Sequence, residues 1–346
     1  YCIEYPYFSN FITFIKGELK LTDKISNSLV IYHSIGLLPF GRSIKLFNYI
    51  NHAFNFFVYF HFLGISKANF KIITFTPEVS FLPILGKYPL YYYTVDDYIS
   101  LPWWNNYLQK NQFKTLETKL IRYVTKIICT SSTLCNKYCT LNSNTCEWQI
   151  PSDNESYFSL KKTKIMIPDD IKSITRPIVG FIGGLYSWRI DMDLLAHILS
   201  RCSNISFVFL GTIDLNDKKI RKLIRFKNVH ILGNKKVESL SPYVRQFDVC
   251  IIPYRTDNYG VYAYPVKIME YLALGKPVVS TDLPSIRHLV KQKLIYTAVN
   301  KKAFVDQMRR ALLEKNRSMI EKRKTIAKNN SWNTRINGFL RLIDLN

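Results

Sequence analysis

The segment from Tyr254 to Ser280 reads YRTDNYGVYAYPVKIMEYLALGKPVVS, and the order of its signals decides the fold. A run of strand-forming residues ends just before it, at Pro253. Pro265 then begins a predicted helix at a position where a missing N–H carries no penalty, and Gly275 ends that helix. A second buried strand is predicted at Pro277–Ser280. The segment therefore predicts one step of a strand–helix–strand repeat.

The same repeat extends outward through the C-terminal half of the chain. Strands are predicted at Pro177–Gly183, Ile205–Leu210, Val229–Leu232 and Val249–Ile252, and helices at Asp191–Cys202, Asp217–Phe226, Val237–Phe247 and from Lys301 onward. Nearly continuous hydrophobic strands separated by helices are typical of a parallel sheet covered on both faces, so we expect a doubly wound, Rossmann-like α/β domain. Ligands bind such a fold beyond the carboxyl ends of its strands, in the loops that start at Gly183, Gly211, Gly233 and Pro253.

The N-terminal half carries a fainter version of this pattern. Strand candidates lie at Leu29–His33, Lys71–Thr76, Leu90–Val95 and Lys126–Thr130, with a long helix at Tyr107–Val124. A chain of 346 residues accommodates two domains of ordinary size. Polar residues at 151–155 and charged residues at 161–164 favour a boundary there. We therefore predict an N-terminal domain over residues 1–165 and a C-terminal domain over residues 166–330.

The net charge of +23 is concentrated in one half of the sequence. Residues 171–346 carry 31 Lys and Arg against 13 Asp and Glu, whereas residues 1–170 carry 17 against 12. Such a field favours anionic partners, among them sugar nucleotides, anionic lipid headgroups and nucleic acid. A lysine-rich, solvated surface without a partner is an equally open interpretation. Since none of the familiar nucleic-acid-reading motifs occurs, we expect no nucleic acid partner.

Cysteine usage and hydropathy indicate the compartment. Seven cysteines, an odd number without paired metal-ligand spacing, indicate free thiols in a reducing cytosol. A run of about 18 uncharged apolar residues is missing, so no transmembrane helix is predicted. Leu46–Ile65, with an aromatic face, is interpreted as a buried or interfacial helix. Because the chain starts at Tyr1 without a methionine, we expect that a few native residues precede it.

The helix that begins at Pro265 carries the residue types that a nucleoside diphosphate requires. Free amides at a helix start bind phosphate, and Lys267 in the first turn adds a positive charge. Glu270, three residues further on, lies on the same helix face and can accept both hydroxyls of a ribose. The alternative is a surface Lys–Glu ion pair without a ligand. The position of the pair at the ligand end of a Rossmann-like sheet favours the binding role.

The stretch PVKIMEYLALGKPVVS resembles the donor-site signature of GT-B glycosyltransferases of the group 1 (GT4-like) type. Further segments follow in that family's order: VGFIGGLYSWRIDMDLL (Val179–Leu195), FVFLG (Phe207–Gly211), NVHILG (Asn228–Gly233) and NSWNTR (Asn330–Arg335). In the N-terminal half, weaker matches are YYYTVDD (Tyr91–Asp97), TKIICTSSTL (Thr125–Leu134) and IPSDNESYF (Ile150–Phe158).

This resemblance implies two Rossmann-like domains whose parallel sheets face a central cleft, with a C-terminal helix at 331–346 that packs back on the N-terminal domain. It also implies transfer of a sugar from a UDP- or GDP-linked donor to a hydroxyl of a glycan or lipid-linked acceptor. No cofactor is implied besides the donor. The donor-binding residues would be Gly184, Arg189, Tyr264, Lys267 and Glu270.

The sequence departs from the family in two places. Many retaining members carry a glutamate eight residues before Glu270, where this chain has Tyr262. The frequent arginine–lysine pair after the first glycine loop is replaced by a single basic residue, Arg189. Whether the anomeric configuration is retained or inverted therefore stays open.

Asp96 and Asp97 end a predicted strand on the acceptor side and are candidates for a general base. The alternative is a helix-cap or turn aspartate, which is the role we expect for Asp191. Since no DxD motif and no histidine pair stands out, we expect no metal site and a mechanism in which amides and basic side chains stabilise the leaving diphosphate.

Two other functions remain open from the sequence. One is a sugar-nucleotide epimerase or a glycan phosphorylase on the same scaffold. The other is a degenerate, non-catalytic module that binds an anionic polymer or nucleic acid. For the enzyme we expect a cytoplasmic location, with peripheral attachment to the anionic inner face of the membrane through basic and aromatic surfaces.

Overall fold

The computed structural model describes residues 2–3, 22–26, 29–32, 46, 50–51, 53–55, 57, 71–77, 88–102, 107–152, 157, 166–257 and 259–343. The chain divides into two compact units. The first unit comprises Tyr1–Tyr93 and Trp103–Ile127, and the second comprises Thr94–Pro102 and Ile128–Asn346. Most of the interfacial helix predicted at 46–65 lies outside the described residues.

Two small sheets are formed by the N-terminal strands. The first has the order β1-β3-β2 and consists of β1 (Cys2–Ile3), β2 (Thr22–Ser26) and β3 (Leu29–Tyr32). The second has the order β4-β5-β6-β7 and consists of β4 (Ile72–Thr74), β5 (Leu90–Thr94), β6 (Lys126–Cys129) and β7 (Thr145–Glu147). Strands β4 and β5 are parallel, and helix α1 (Tyr107–Tyr123) connects β5 to β6. Every residue of β5 is buried, as the apolar run predicted.

The second unit contains a six-stranded, fully parallel sheet. Its strands are β8 (Ile178–Ile182), β9 (Ser206–Leu210), β10 (Val229–Gly233), β11 (Val249–Ile252), β12 (Val278–Thr281) and β13 (Tyr296–Ala298). The spatial order is β10-β9-β8-β11-β12-β13. The chain thus runs outward from β8 to one edge, returns to the centre at β11 and runs to the other edge. Ligands bind such a sheet where the order reverses, beyond the carboxyl ends of β8 and β11.

The second unit also contains eleven described α-helices, two of which precede β8 in the chain. In chain order they are α2 (Ser132–Cys139), α3 (Asp169–Lys172), α4 (Met192–Arg201), α5 (Lys218–Leu223), α6 (Leu240–Gln246), α7 (Tyr259–Tyr262), α8 (Lys267–Ala273), α9 (Arg287–Lys291), α10 (Lys301–Leu312), α11 (Arg317–Asn329) and α12 (Trp332–Leu342). Strands β8, β9, β11 and β12 are buried along their whole length and form the core with the apolar faces of these helices. The predicted α/β class with two Rossmann-like parallel sheets is confirmed, while their arrangement about a cleft stays a prediction.

The contacts divide the chain differently from the predicted boundary between residues 165 and 166. Residues 94–102 and the chain from Ile128 onward group with the C-terminal sheet, and some of the described side chains in these segments bond to its loops. Ser131 donates to the carbonyl of Tyr262, for example, and Tyr157 donates to Glu270. Helix α12 groups there too, with Phe339 packed on Trp148 at 4.7 Å between ring centroids. The assignment of residues 1–165, 166–330 and 331–346 to domains stays a prediction.

Two of the compositional expectations concern described residues. The six cysteines whose side chains are described are free thiols: Cys129, Cys135, Cys139, Cys146, Cys202 and Cys250. In the described ranges, no helix combines the length and the apolar character that crossing a bilayer requires.

Candidate functional site

The loops that follow β8 and β11 are bonded to each other where the strand order reverses. Ile190 forms an antiparallel bridge with Tyr254. The amide of Asp191 donates to the carbonyl of Pro253 at 2.9 Å, and the amide of Arg255 donates to the carbonyl of Arg189 at 2.8 Å. These bonds fix the backbone at Arg189 beside the loop that leads to α8.

The loop after β8 is built on glycines that admit no side chain. Gly183 has a φ of +146°, in the region that favours glycine. A Cβ on Gly184 would lie 2.2 Å from the ring of Tyr186. A Cβ on Gly211, at the end of β9, would lie 2.3 Å from the carbonyl oxygen of Gly183. The two strand ends therefore pack backbone against backbone, and Gly184 lies two residues beyond the carboxyl end of β8.

Arg189 lies among three aromatic rings. Its guanidinium carbon is 4.7 Å from the ring centre of Trp188, 5.5 Å from that of Tyr259 and 5.9 Å from that of Tyr254. Its Nε is buried and has no hydrogen-bond partner among the described residues. Burial lowers the pKa of Arg189, but Tyr254, Tyr259 and Asp96 raise it by more, so the group stays charged. A desolvated guanidinium with an unused donor is suited to binding an anionic oxygen.

Asp96 joins this cluster from the end of the preceding sheet. Burial raises the pKa of Asp96, a hydrogen bond with Tyr259 and the charge of Arg189 lower it, and the neighbouring Asp97 raises it, with a raised pKa as the net result. The carboxylate is therefore easier to protonate than a solvated one.

Asp97 lies in a different environment from its neighbour. Its carboxylate is buried and accepts a hydrogen bond from Nζ of Lys137 at 2.7 Å. The residue stands at the N-cap position of a 3₁₀ helix, Tyr98–Ser100, but its side chain makes no cap bond. Asp97 therefore occupies a helix-cap position, as the alternative interpretation expected, but its carboxylate does not cap the helix. Asp191, in contrast, is the N-cap of α4 as predicted, because its side chain accepts from the amide of Leu194 at 2.9 Å.

Helix α8 presents Lys267 and Glu270 on one face. Nζ of Lys267 lies 2.8 Å from Oε1 and 3.0 Å from Oε2 of Glu270. The Glu270 side chain is only 9% exposed and that of Lys267 is 25% exposed, so this is not a surface ion pair. The Tyr157 hydroxyl donates to Oε2 of Glu270 at 2.6 Å. A buried carboxylate thus has two donors, one of them from far away in the sequence.

The helix begins two residues later than predicted. The prediction placed its start at Pro265, whereas α8 begins at Lys267 with Val266 as its N-cap. The carbonyls of Pro265 and Val266 accept bonds from the amides of Ile268 and Met269 at 3.0 and 3.1 Å. Proline therefore forms the turn before the helix, and Lys267 is its first residue.

Hydroxyl groups hold the loop between β11 and α8. Ser131 donates to the carbonyl of Tyr262 at 2.9 Å, Ser285 to that of Ala263 at 2.7 Å, and Thr281 to that of Tyr254 at 2.8 Å. Tyr264 is buried, and its hydroxyl has no partner among the described residues. Burial also raises the pKa of Tyr264, so the hydroxyl stays protonated. It is a donor directed into the protein next to α8.

Residues 176–314 match the model of the family Glycosyl transferases group 1. Over this stretch, which is less than half of the chain, the sequence is similar to that family. A Bacillus subtilis protein named for teichuronic acid biosynthesis, the glycosyltransferase TuaH, is 29% identical over 163 residues, which are 45% of this chain and 40% of TuaH. The chain therefore spans less than half the length of this curated relative.

Solved structures with the same fold match over most of both chains. A glycosyltransferase from Rickettsia africae has a TM-score of 0.68 at 14% identity and covers 91% of this chain and 84% of its own. Anabaena HepE in complex with UDP and glucose has a TM-score of 0.65 at 16% identity, with 90% and 86% covered. Sucrose-phosphate synthase from Thermosynechococcus elongatus has a TM-score of 0.65 at 12% identity, with 94% and 86% covered. At these identities the likeness shows the fold.

The structure brings most of the site residues that the sequence predicted into two clusters. Arg189 and Asp96 share one cluster, and Lys267 and Glu270 share another. Where many members have a glutamate, the ring of Tyr262 lies 5.7 Å from Nζ of Lys137, so the ammonium bonded to Asp97 also contacts this ring.

Sequence reasoning missed several residues of the site, namely Ser131, Lys137, Tyr157, Thr281 and Ser285. The crowding of tyrosines between residues 254 and 264 was a usable signal for the aromatic cluster around Arg189. The motif at 150–158 contains Tyr157, but nothing in it predicts the hydrogen bond of Tyr157 with Glu270.

Proposed function

We propose that this chain is a glycosyltransferase that moves a sugar from a nucleoside diphosphate donor, linked to UDP or GDP, to a hydroxyl of a glycan or lipid-linked acceptor. The observation that carries the proposal is the pair formed by the partly buried Lys267 and the buried Glu270 at the start of α8, beside the point where the sheet order reverses. Burying a charged pair at a ligand edge is costly unless its groups are used, which favours a binding role over a structural one.

The donor would be held by groups of opposite charge. Lys267, the first residue of α8, would bind the diphosphate, and Glu270 would accept the ribose hydroxyls. The guanidinium of Arg189 would add positive charge beside the phosphates, and Gly184 lies at the carboxyl end of β8, the edge of the sheet where ligands bind. Tyr264 would support the loop before α8, since its buried hydroxyl is not open to a ligand. HepE, which shares the fold, binds UDP and glucose, and this is in keeping with such a donor.

The transfer step needs a base and a stabilised leaving group. The acceptor hydroxyl would give its proton to the carboxylate of Asp96 or Asp97 while its oxygen forms a bond with the anomeric carbon. The bond from that carbon to the diphosphate oxygen would break, and the nucleoside diphosphate would leave with the electron pair. Lys267 and Arg189 would neutralise the charge that develops on it, the role that a divalent ion has in metal-dependent transferases.

Of the two carboxylates, Asp96 has the environment that suits a base. Its raised pKa makes proton uptake easier, whereas the carboxylate of Asp97 already accepts a bond from Lys137. Asp97 and Lys137 would then help to bind the acceptor. The basic C-terminal half supports peripheral attachment to an anionic membrane, where a lipid-linked acceptor would be embedded.

Donor hydrolysis with a panel of UDP and GDP sugars tests the proposal. We expect turnover with at least one donor, and Glu270→Ala should reduce it by about 100-fold or more because the ribose contact is lost in a buried site. Glu321→Ala, which removes an exposed carboxylate bonded to Lys324, is the control and should retain turnover. If no donor turns over while the protein binds an anionic polymer, the chain is a binding module and the proposal is wrong.

A further inference from the structure

Tyr157 is a buried residue whose hydroxyl bonds to the proposed ribose-binding carboxylate. It is only 1% exposed, and its O–H donates to Oε2 of Glu270 at 2.6 Å. Its own carbonyl accepts from Nη2 of Arg245 at 3.4 Å. A residue that is 113 positions away from Glu270 in sequence is thus bonded beside α8 through its hydroxyl and through its backbone carbonyl.

The acceptor capacity of Glu270 explains why a fixed donor matters. A carboxylate has about four lone-pair positions. In the structure Tyr157 occupies one, and Lys267 occupies one on each oxygen. Two ribose hydroxyls can be accepted only if Lys267 moves away from the carboxylate. A diphosphate near α8 would attract the ammonium of Lys267 and so free its two positions on the carboxylate. The phenol of Tyr157 carries no charge, so the diphosphate would not draw it away from Glu270.

We propose that Tyr157 is a positioning residue that holds the Glu270 carboxylate in the orientation in which it binds the ribose, while Lys267 moves to the diphosphate. This inference rests on the proposed function of the site. Without the phenol, a carboxylate released by Lys267 would be free to rotate about its last torsion, because Tyr157 and Lys267 are the donors that hold it. The predicted effect of losing Tyr157 is therefore on recognition of the ribose and not on the diphosphate.

Binding of paired nucleotides by calorimetry separates these two effects. The probes are UDP and 2′,3′-dideoxy-UDP, with GDP and 2′,3′-dideoxy-GDP as the second pair. In the wild-type chain the ribonucleotide should bind more tightly than its dideoxy form, and Glu270→Gln should remove most of that preference. In Tyr157→Phe we expect the preference to fall by about fivefold or more, with little change in the affinity for the dideoxy nucleotide.

Tyr296→Phe is the matched control, because the hydroxyl of Tyr296 donates to Oε2 of Glu314 at the same 2.6 Å outside the site. It should lower the melting temperature and leave the ribose preference unchanged. A Tyr157→Phe variant that keeps the full preference, or that weakens both nucleotides equally, overturns the positioning role alone. A wild-type chain that binds neither ribonucleotide overturns the proposed function and this role with it, and binding without a ribose preference overturns the role of Glu270.

Discussion

Two adjacent aspartates show how local environment assigns different roles to the same chemical group. Asp96 contacts a tyrosine and an arginine, and burial raises its pKa. Asp97, the next residue, is paired with Lys137 at 2.7 Å. A buried carboxylate with a raised pKa does not stabilise the folded state at neutral pH. A role in binding or catalysis therefore accounts for Asp96 at the ligand-binding edge of the sheet better than a structural role does.

Asp96→Asn should therefore increase stability at neutral pH. In the wild-type chain the folded state holds the proton of Asp96 more tightly than the unfolded state, whose pKa is near the ordinary value of 3.8. Above the raised pKa, the charged carboxylate costs folding free energy, and below pH 3.8 this cost disappears because both states are protonated. Thermal denaturation across pH should show a higher melting temperature for the variant than for the wild type, and this difference should close on acidification.

The same substitution should reduce donor-to-acceptor transfer by about 100-fold, because an amide accepts no proton. Circular dichroism melts and transfer assays on one preparation give both results. A variant that is less stable than wild type at pH 7, or one that transfers sugar at the wild-type rate, contradicts the role assigned to Asp96.

At the scale of secondary-structure elements, a lysine joins the turn before β11 to the turn after α8. Nζ of Lys276 donates to the carbonyls of Arg245 and Phe247 at 2.8 and 2.6 Å, at the C-terminal end of α6. Burial lowers the pKa of Lys276. The terminal carbonyls of a helix have no partner within the helix, so this ammonium supplies what α6 lacks and holds the turn after α8 against it.

Lys276→Met should lower the free energy of unfolding by about 2 kcal/mol, since two carbonyls lose a part-buried donor. Urea denaturation measures the change. Lys324→Met removes an exposed lysine bonded to Glu321 and should change stability by less than about 0.5 kcal/mol. Equal effects of the two substitutions would show that Lys276 acts only as a surface charge.

The sequence predicted those elements whose pattern is local. Strand β11 was predicted at its observed bounds, Val249–Ile252, because four apolar residues between turn signals are unambiguous. Strand β7, Thr145–Glu147, was not predicted, since a polar three-residue strand depends on its partners for pairing. In the site, Lys267 and Glu270 could be paired because they share one helix face. The contact of Tyr157 with Glu270 could not, because 113 residues separate them.

At the scale of the whole molecule, the excess of positive charge is the main feature that the site does not explain. The net charge is +23, and exposed lysines and arginines lie on several helices of the second unit, among them Lys218, Lys222, Arg310, Arg317 and Lys322. Charges of this density attract anionic surfaces. Dissolved salt weakens that attraction, with a screening length of about 10 Å at 0.1 M ionic strength.

We expect the chain to co-sediment with vesicles that contain anionic lipid. Binding should increase with the anionic fraction and decrease as the salt concentration rises from about 0.05 to 0.5 M. Vesicles of neutral lipid alone are the control. Sedimentation that does not depend on the anionic lipid content would refute the electrostatic attachment.

The most direct measurement of the central claim is a crystal structure of the chain with UDP or GDP bound. We expect the diphosphate to lie within hydrogen-bond distance of Nζ of Lys267, with the ammonium withdrawn from Glu270, and the ribose hydroxyls to contact the Glu270 carboxylate. A nucleotide bound elsewhere, or a Lys267–Glu270 pair that is unchanged at saturating nucleotide, would contradict it.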